Sequence, residues 1–316
     1  MARKRLSAAV GLTVTGVFLY LAARNVELER LREVLAGAKP LWLVPILGIA
    51  AADILVRALR WRILLSGAVK APVGALYRLS AIGLGVNNVL FARLGELTRA
   101  LLAARQLGVP VMTSLASVAV ERALDVAALL SLFTLASIGA PMVAAEARLA
   151  AGALLAAAVG ALLVLALAGE WFAGLTRRWT KLHELTSQLV VGAAVLRRPK
   201  AALGAVLLSW SLWLMDAGIY WCAARALGLG GIMDFPQSIL VLSWAGAGAA
   251  LPAAPGAIGT FEAMVKDILV RLGADAHAAF GYAVFVHMTT YVFVTGLGLF
   301  FLYRLGMSLS AVKERA

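Results

Sequence analysis

The stretch "NNVLFARLGELTRALLAAR", Asn87–Arg105, places two amides, three arginines and a glutamate inside an otherwise apolar chain. Of the 316 residues, 62% are hydrophobic and only 14% are charged, against the quarter expected of a soluble domain. Mean hydropathy is +0.91. Apolar runs of membrane-spanning length recur along the chain, which predicts an all-α, polytopic helical membrane protein. The short alternating segments of a transmembrane β-barrel are absent from the sequence.

Six stretches read as full spans: 6–23, 41–58, 111–138, 149–168, 201–223 and 276–303. Two more apolar stretches are interrupted. Residues 73–107 carry Gly83, Gly85, Asn87, Asn88, Gly95 and charges; residues 235–272 carry Gly246, Gly248, "LPAAPGAIG" and then Glu262, Lys266 and Asp267. Residues 1–316 read as one transmembrane domain. The opening "MARKRLSAAVGLTVTGVFLYLAAR" has too long an apolar run for a signal peptide and reads as a retained first helix.

The formal net charge of +13 lies mainly at segment ends, where the positive-inside rule puts it. Anionic lipid headgroups, not nucleic acid, are the expected counterpart. Arg3, Lys4 and Arg5, the basic 170–200 loop, and Arg304, Lys313 and Arg315 predict cytoplasmic termini in a bacterial inner membrane. The mixed-charge segment 24–39 reads as an amphipathic stretch on the outer side. With these ends placed, 73–107 should enter and return from the cytoplasmic side and 235–272 from the outer side. Two opposed re-entrant hairpins form the pattern of an inverted repeat.

Irregular backbone at membrane depth must be satisfied by protein or by a watery cavity. Asn87 and Asn88 can bond freed backbone groups, and Gly95 permits a turn. Charge at that depth is costly, so Arg93, Glu96 and Arg99 should pair or face a cavity, with Glu96 and Arg99 spaced as a helical pair. The alternative is a solvated amphipathic turn. "SVAVERALDVAALL" places Glu121, Arg122 and Asp125 in a long span, as a functional cluster or a structural ion pair, with Arg122 spaced to meet Asp125. "ADILVRALRWRILL" offers an Asp53–Arg57 pair and, around Trp61, Arg57 and Arg60 as a rim for headgroups or as ordinary interfacial residues. Asp216 has no partner assignable from sequence. In "LPAAPGAIGTFEAMVKD", Pro252 and Pro255 break the helix, Gly256 and Gly259 allow close approach, and a helix starting near Thr260 presents free N–H groups that attract anions; a kinked packing turn is the plainer reading.

His183, His277 and His287 are too scattered for a ligand cluster, and His287 reads as a hydrogen-bonded packing residue. Walker A, Rossmann, CxxC and G-x-S-x-G patterns are missing from the sequence, so no cofactor is expected. Cys222 is the single cysteine.

The ordered motifs "ALRWRILL", "NNVLFARLGELTRALL", "VERALDVAAL" and "PAAPGAIGTFE" resemble the membrane domain of lysylphosphatidylglycerol synthases, a family also described as flippase-like integral membrane proteins. The resemblance covers nearly the whole chain. It implies Asn88, Arg93, Gly95, Glu96 and Arg99; Glu121, Arg122 and Asp125; and Pro252, Gly256, Gly259 and Glu262 as substrate-site residues. Phe91 stands where the family tends to have proline, and Ala257 where a second glycine often follows Gly256. No synthase domain follows in the sequence, so the resemblance implies the lipid-translocating half alone. The expected function is binding and flipping of an anionic, aminoacylated or lipid-linked-sugar lipid between the hairpins. A headgroup transferase and a non-transporting scaffold of a lipid- or glycan-synthesis complex are the alternatives, and an oligomer or a synthesis partner is compatible with each.

Overall fold

The computed structural model describes residues 2–90, 94–251 and 255–306, apart from the side chains before residue 13 and those at 168–170, 172, 173, 181 and 189. Among the described residues there is no strand. Six helices are long: α1 (Ala2–Ala23), α3 (Leu43–Leu64), α6 (Val111–Ala136), α7 (Ala145–Leu175), α9 (Pro199–Ala226) and α12 (Ala276–Arg304). They coincide with the six expected spans. Four segments combine the length and apolarity needed to cross a bilayer: Pro40–Gly67, Ala145–Leu167, Pro199–Ala226 and Ala276–Arg304. Helix α6, at 26 residues, has the length, but Glu121, Arg122 and Asp125 interrupt its apolarity.

The two interrupted stretches become helix pairs. The first is α4 (Val73–Val89) with α5 (Leu94–Leu107); the second is α10 (Phe235–Ala250) with α11 (Thr260–Arg271). At 1.5 Å per residue these four helices measure about 26, 21, 24 and 18 Å. Each is shorter than a hydrocarbon core of about 30 Å. A Cβ on Gly95 would overlap the carbonyl oxygen of Gly83, so the first pair crosses at glycine backbone. The second pair crosses at Gly248, where a Cβ would lie 2.7 Å from the Thr260 carbonyl oxygen.

Helix α12 records how the hairpins meet. Near its C-terminal end Phe301 packs edge-on against Tyr77 of α4. One turn toward the middle, Gly298 faces Gly85, and Thr295 accepts from Asn88 Nδ2 at 2.8 Å. On the N-terminal half His287 meets Glu262 of α11, and farther out Phe280 lies 6.0 Å from the Lys266 ammonium. The hairpins therefore approach from opposite ends of α12. Their tips converge on Tyr291, beside the midpoint of that 29-residue helix. The Tyr291 hydroxyl donates to the Asn88 carbonyl at 3.0 Å, and its ring packs against Gly256. This opposed geometry is the one expected from the charge parity of the segments.

The remaining helices lie against this frame. The mixed-charge segment 24–39 contains α2 (Leu28–Ala36), whose Leu31 and Val34 pack against Gly281 of α12. The 170–200 stretch, expected as a loop, is largely helical. Helix α7 runs on to Leu175, and α8 (Thr180–Ala193) packs against α6 through Gly192. Gly192 and Ala193 are buried on the packed side of α8, which the basic residues on either side of it mask in the sequence.

Candidate functional site

The site grows from three helices that each bring charge into apolar surroundings. Helix α3 contributes Asp53, Arg57 and Arg60, spaced so that all three turn inward while Arg62 stays exposed. Helix α5 contributes Glu96 and Arg99 from its first turns, and α6 contributes Glu121, Arg122 and Asp125. An ionised side chain at such depth persists only with partners, and the partners are found across helices.

Glu121, fully buried, is the hub. It accepts from Arg60 Nη2 at 2.9 Å and from Arg99 Nη2. Arg60 also donates to Asp125 through both terminal nitrogens and to Ser209 of α9 at 2.7 Å. Arg122 Nη2 meets Asp125 at 3.0 Å, while its Nε lies 3.7 Å from Glu96. The Arg99 guanidinium also covers the Trp61 ring at 4.3 Å, and Trp61 donates through Nε1 to Ser117 at 2.9 Å. Asp53 and Arg57 form the expected helical pair at 2.6 Å, and Arg57 supplies the partner Asp216 lacked in the sequence, at 3.6 Å. Four guanidinium groups thus meet five carboxylates. The arginine forks allow several carboxylates to be satisfied at once.

Two expectations about these charges are corrected. Glu96 and Arg99 do not pair along α5. Arg99 turns to Glu121, which is buried deeper and shared with Arg60, leaving Glu96 for Arg122. Arg60 and Trp61 do not form a rim: both are 0% exposed, because they face α6 and not the bilayer interface. Arg57, the third expected rim residue, lines a cavity.

That cavity lies beside the first hairpin. It is lined by Arg57, Ser80, Gly83, Asn87, Glu96, Arg99 and Arg122, among others. It has about 30 Å³ for water-sized occupants, room for one or two waters or a phosphate oxygen. Three donors on its lining residues have no hydrogen-bond partner: Ser80 Oγ, Arg99 Nε and Arg122 Nε. Asn87, one of its lining residues, accepts from the Gly95 amide at 2.7 Å. Ser80, Ser117 and Ser209 gave no signal in the sequence, since a serine in an apolar helix most often bonds its own backbone.

The third motif lies elsewhere. Thr260 does start a helix, but the amide of Gly259 at its entrance is already taken by Glu262, at 2.6 Å. The anion expected at this terminus is the chain's own carboxylate. The other Glu262 oxygen meets His287 Nδ1 at 2.6 Å, and Phe261 stacks on the imidazole at 4.1 Å. Gly256 has φ +73° and faces Tyr291; Ala257, next to it, has φ +57°. Pro255 opens this short turn. The site expected between the two hairpins is therefore divided. The arginine cluster and its cavity adjoin the first hairpin, and Pro255, Gly256, Gly259 and Glu262 build the tip of the second. Asn88 sits at the first tip, on Thr295 and Tyr291. Arg93 and Pro252, two expected site residues, lie outside the described residues.

Two opposed hairpins of short helices around a long central helix, with a buried arginine–carboxylate cluster at one of them, define a multi-pass helical membrane protein. The chain belongs to the lysylphosphatidylglycerol synthase transmembrane-region family, whose model matches residues 8–298. No curated protein matches it significantly. Membership makes it a membrane protein associated with lipid modification or transport.

Proposed function

We propose that this protein binds the phosphate of an anionic, aminoacylated or lipid-linked-sugar lipid in the cleft beside the first hairpin and translocates that lipid across a bacterial inner membrane. The observation that carries the reading is that three residues lining the cleft carry donors without a hydrogen-bond partner, Ser80 Oγ, Arg99 Nε and Arg122 Nε, the last facing Glu96 only at 3.7 Å. Buried donors without partners are rare and call for a ligand or ordered water. Guanidinium beside hydroxyl matches a phosphate's oxygens. Glu96 and Arg122 form the loosest contact, at 3.7 Å, with side chains 29% and 40% exposed. An arriving phosphate competes with Glu96 for Arg122, and its displacement widens the cleft between α5 and α6.

Transport fits the cleft better than catalysis. A general base needs a carboxylate free to take a proton. Glu121 and Asp125 are each held by two arginines, and Glu96 faces Arg122. The test is Arg122→Lys and Ser80→Val in proteoliposomes, scored by translocation of fluorescent phosphatidylglycerol. Lysine keeps the charge but loses the fork. Both variants should fold with little change in melting temperature, and Arg122→Lys should translocate about tenfold more slowly, as for loss of roughly 1.4 kcal/mol of phosphate binding. Wild-type rates in both variants would reject the phosphate role.

A further inference from the structure

We infer that His287 and Glu262 form a proton-binding site whose occupancy controls contact between the two hairpin tips; the inference rests on the transport reading for its purpose, not for its chemistry. The pair is isolated from the arginine cluster. His287 is 7% and Glu262 3% exposed, and they share one hydrogen bond of 2.6 Å. Arginine keeps its proton at any working pH. A histidine does not, and its ordinary titration lies in the physiological range. His183 stands on α8 and His277 in the first turn of α12, leaving His287 as the histidine in the interior of a spanning helix.

The surroundings give the proton mechanical leverage. Glu262 holds the Gly259 amide, at the entrance to α11. The imidazole lies against Phe261 and edge-on to Tyr291, 5.9 Å away. Tyr291 in turn holds the Asn88 carbonyl at the other tip. One ionisable pair is thus tied to both hairpins through a single tyrosine. Of the charged groups on the helices packed around it, Glu29, Arg30, Arg32 and Glu33 of α2 and Arg78 of α4 are exposed, and Asp53, Arg57 and Arg60 of α3 are engaged in the arginine cluster. Helix α10 carries no ionisable residue. The described part of α1 offers the exposed Tyr20. Helix α11 adds Lys266, which is spent on the Ala22 and Arg24 carbonyls, and Asp267, paired with Arg271. Helix α9 presents Tyr220 to Phe261, with Asp216 one turn away and held by Arg57.

With its proton, the imidazolium–carboxylate pair is neutral overall and suits the apolar junction. Nδ1–H donates to Glu262 in either state. When the imidazole releases its second proton, a carboxylate charge remains uncompensated except by the Gly259 amide, and hydration relieves it. The protonated pair therefore holds the tips together and the deprotonated pair favours their separation. A membrane pH difference then drives one tip contact in each direction of access.

Spin labels on Leu90→Cys and Ile258→Cys, in a Cys222→Ser background, read the tips without any lipid substrate. Their separation should lengthen when the buffer is changed from acidic to alkaline. His287→Asn, which keeps a donor near the Nδ1 position but cannot gain a second proton, should give one pH-independent distance. In proteoliposomes, an imposed pH gradient should speed fluorescent phosphatidylglycerol translocation at least fivefold in the wild type. His287→Asn should lose that stimulation whatever its gradient-free rate. A pH-invariant distance in the wild type, or equal gradient stimulation in His287→Asn, overturns the proposal. If the wild type translocates no lipid, the distances alone decide, and the transport reading fails separately.

Discussion

Replacing Glu121 with glutamine removes a charge from the hub of the cluster while keeping its shape. Removing one partner of a buried ion pair costs about 3–5 kcal/mol, because the other is left uncompensated. The structure places this case near the lower end. Arg60 keeps both oxygens of Asp125 and the Ser209 hydroxyl, so it is not orphaned. Arg99 loses its ion pair and keeps the face of Trp61, a desolvated contact of about 2 kcal/mol. Glu121→Gln should therefore destabilise the fold by about 3 kcal/mol, roughly a hundredfold in the folding equilibrium. Equilibrium unfolding in mixed micelles, followed by tryptophan fluorescence, measures it. Glu33→Gln on the exposed face of α2 is the control and should stay within about 0.5 kcal/mol. A double-mutant cycle with Arg99→Met should give a coupling of about 1.5 kcal/mol or more. A loss under about 1 kcal/mol for Glu121→Gln, comparable to the control, would refute the hub reasoning.

Three further outcomes follow from the hairpins and the charge pattern. Gly95→Ala should prevent the first hairpin from closing, since its Cβ would overlap the Gly83 carbonyl and crowd Asn87 Oδ1 at 2.6 Å; unchanged melting temperature and monodispersity on size exclusion would contradict that crossing. Ala257→Gly should stabilise the second tip by about 0.5–1 kcal/mol, because the left-handed conformation costs alanine about 1–2 kcal/mol and glycine's extra chain entropy returns part of it. A lower midpoint in the same unfolding assay would argue against strain there. Ser187→Cys in the Cys222→Ser background should be labelled from the cytoplasmic side, given the basic residues flanking α8; labelling confined to the outside would reverse the proposed orientation.

Much of the architecture was legible in the sequence because it rests on local properties. Apolar runs with the length of a bilayer specify spanning helices whatever they later touch. The glycines, asparagines and prolines of 83–95 and 252–259 identify where helices must stop. Reading the basic ends as cytoplasmic leads to the expectation that the hairpins oppose each other. Pairs three or four residues apart, Asp53–Arg57 and Arg122–Asp125, follow from the helical repeat itself. What the sequence left open concerned which helix faces meet. Arg60 and Trp61 read as interfacial because arginine beside tryptophan usually is, and only the packing of α3 against α6 and α9 turns them inward. Glu96 and Arg99 had the right spacing to pair, yet Glu121, distant along the chain, offered Arg99 a drier partner already shared with Arg60. Glu262 and His287 are 25 residues apart and carry no motif in common. Ion pairs in a low-dielectric interior go to the partner that best offsets desolvation. That choice is made by tertiary packing, after helix spacing has said only which side chains point the same way.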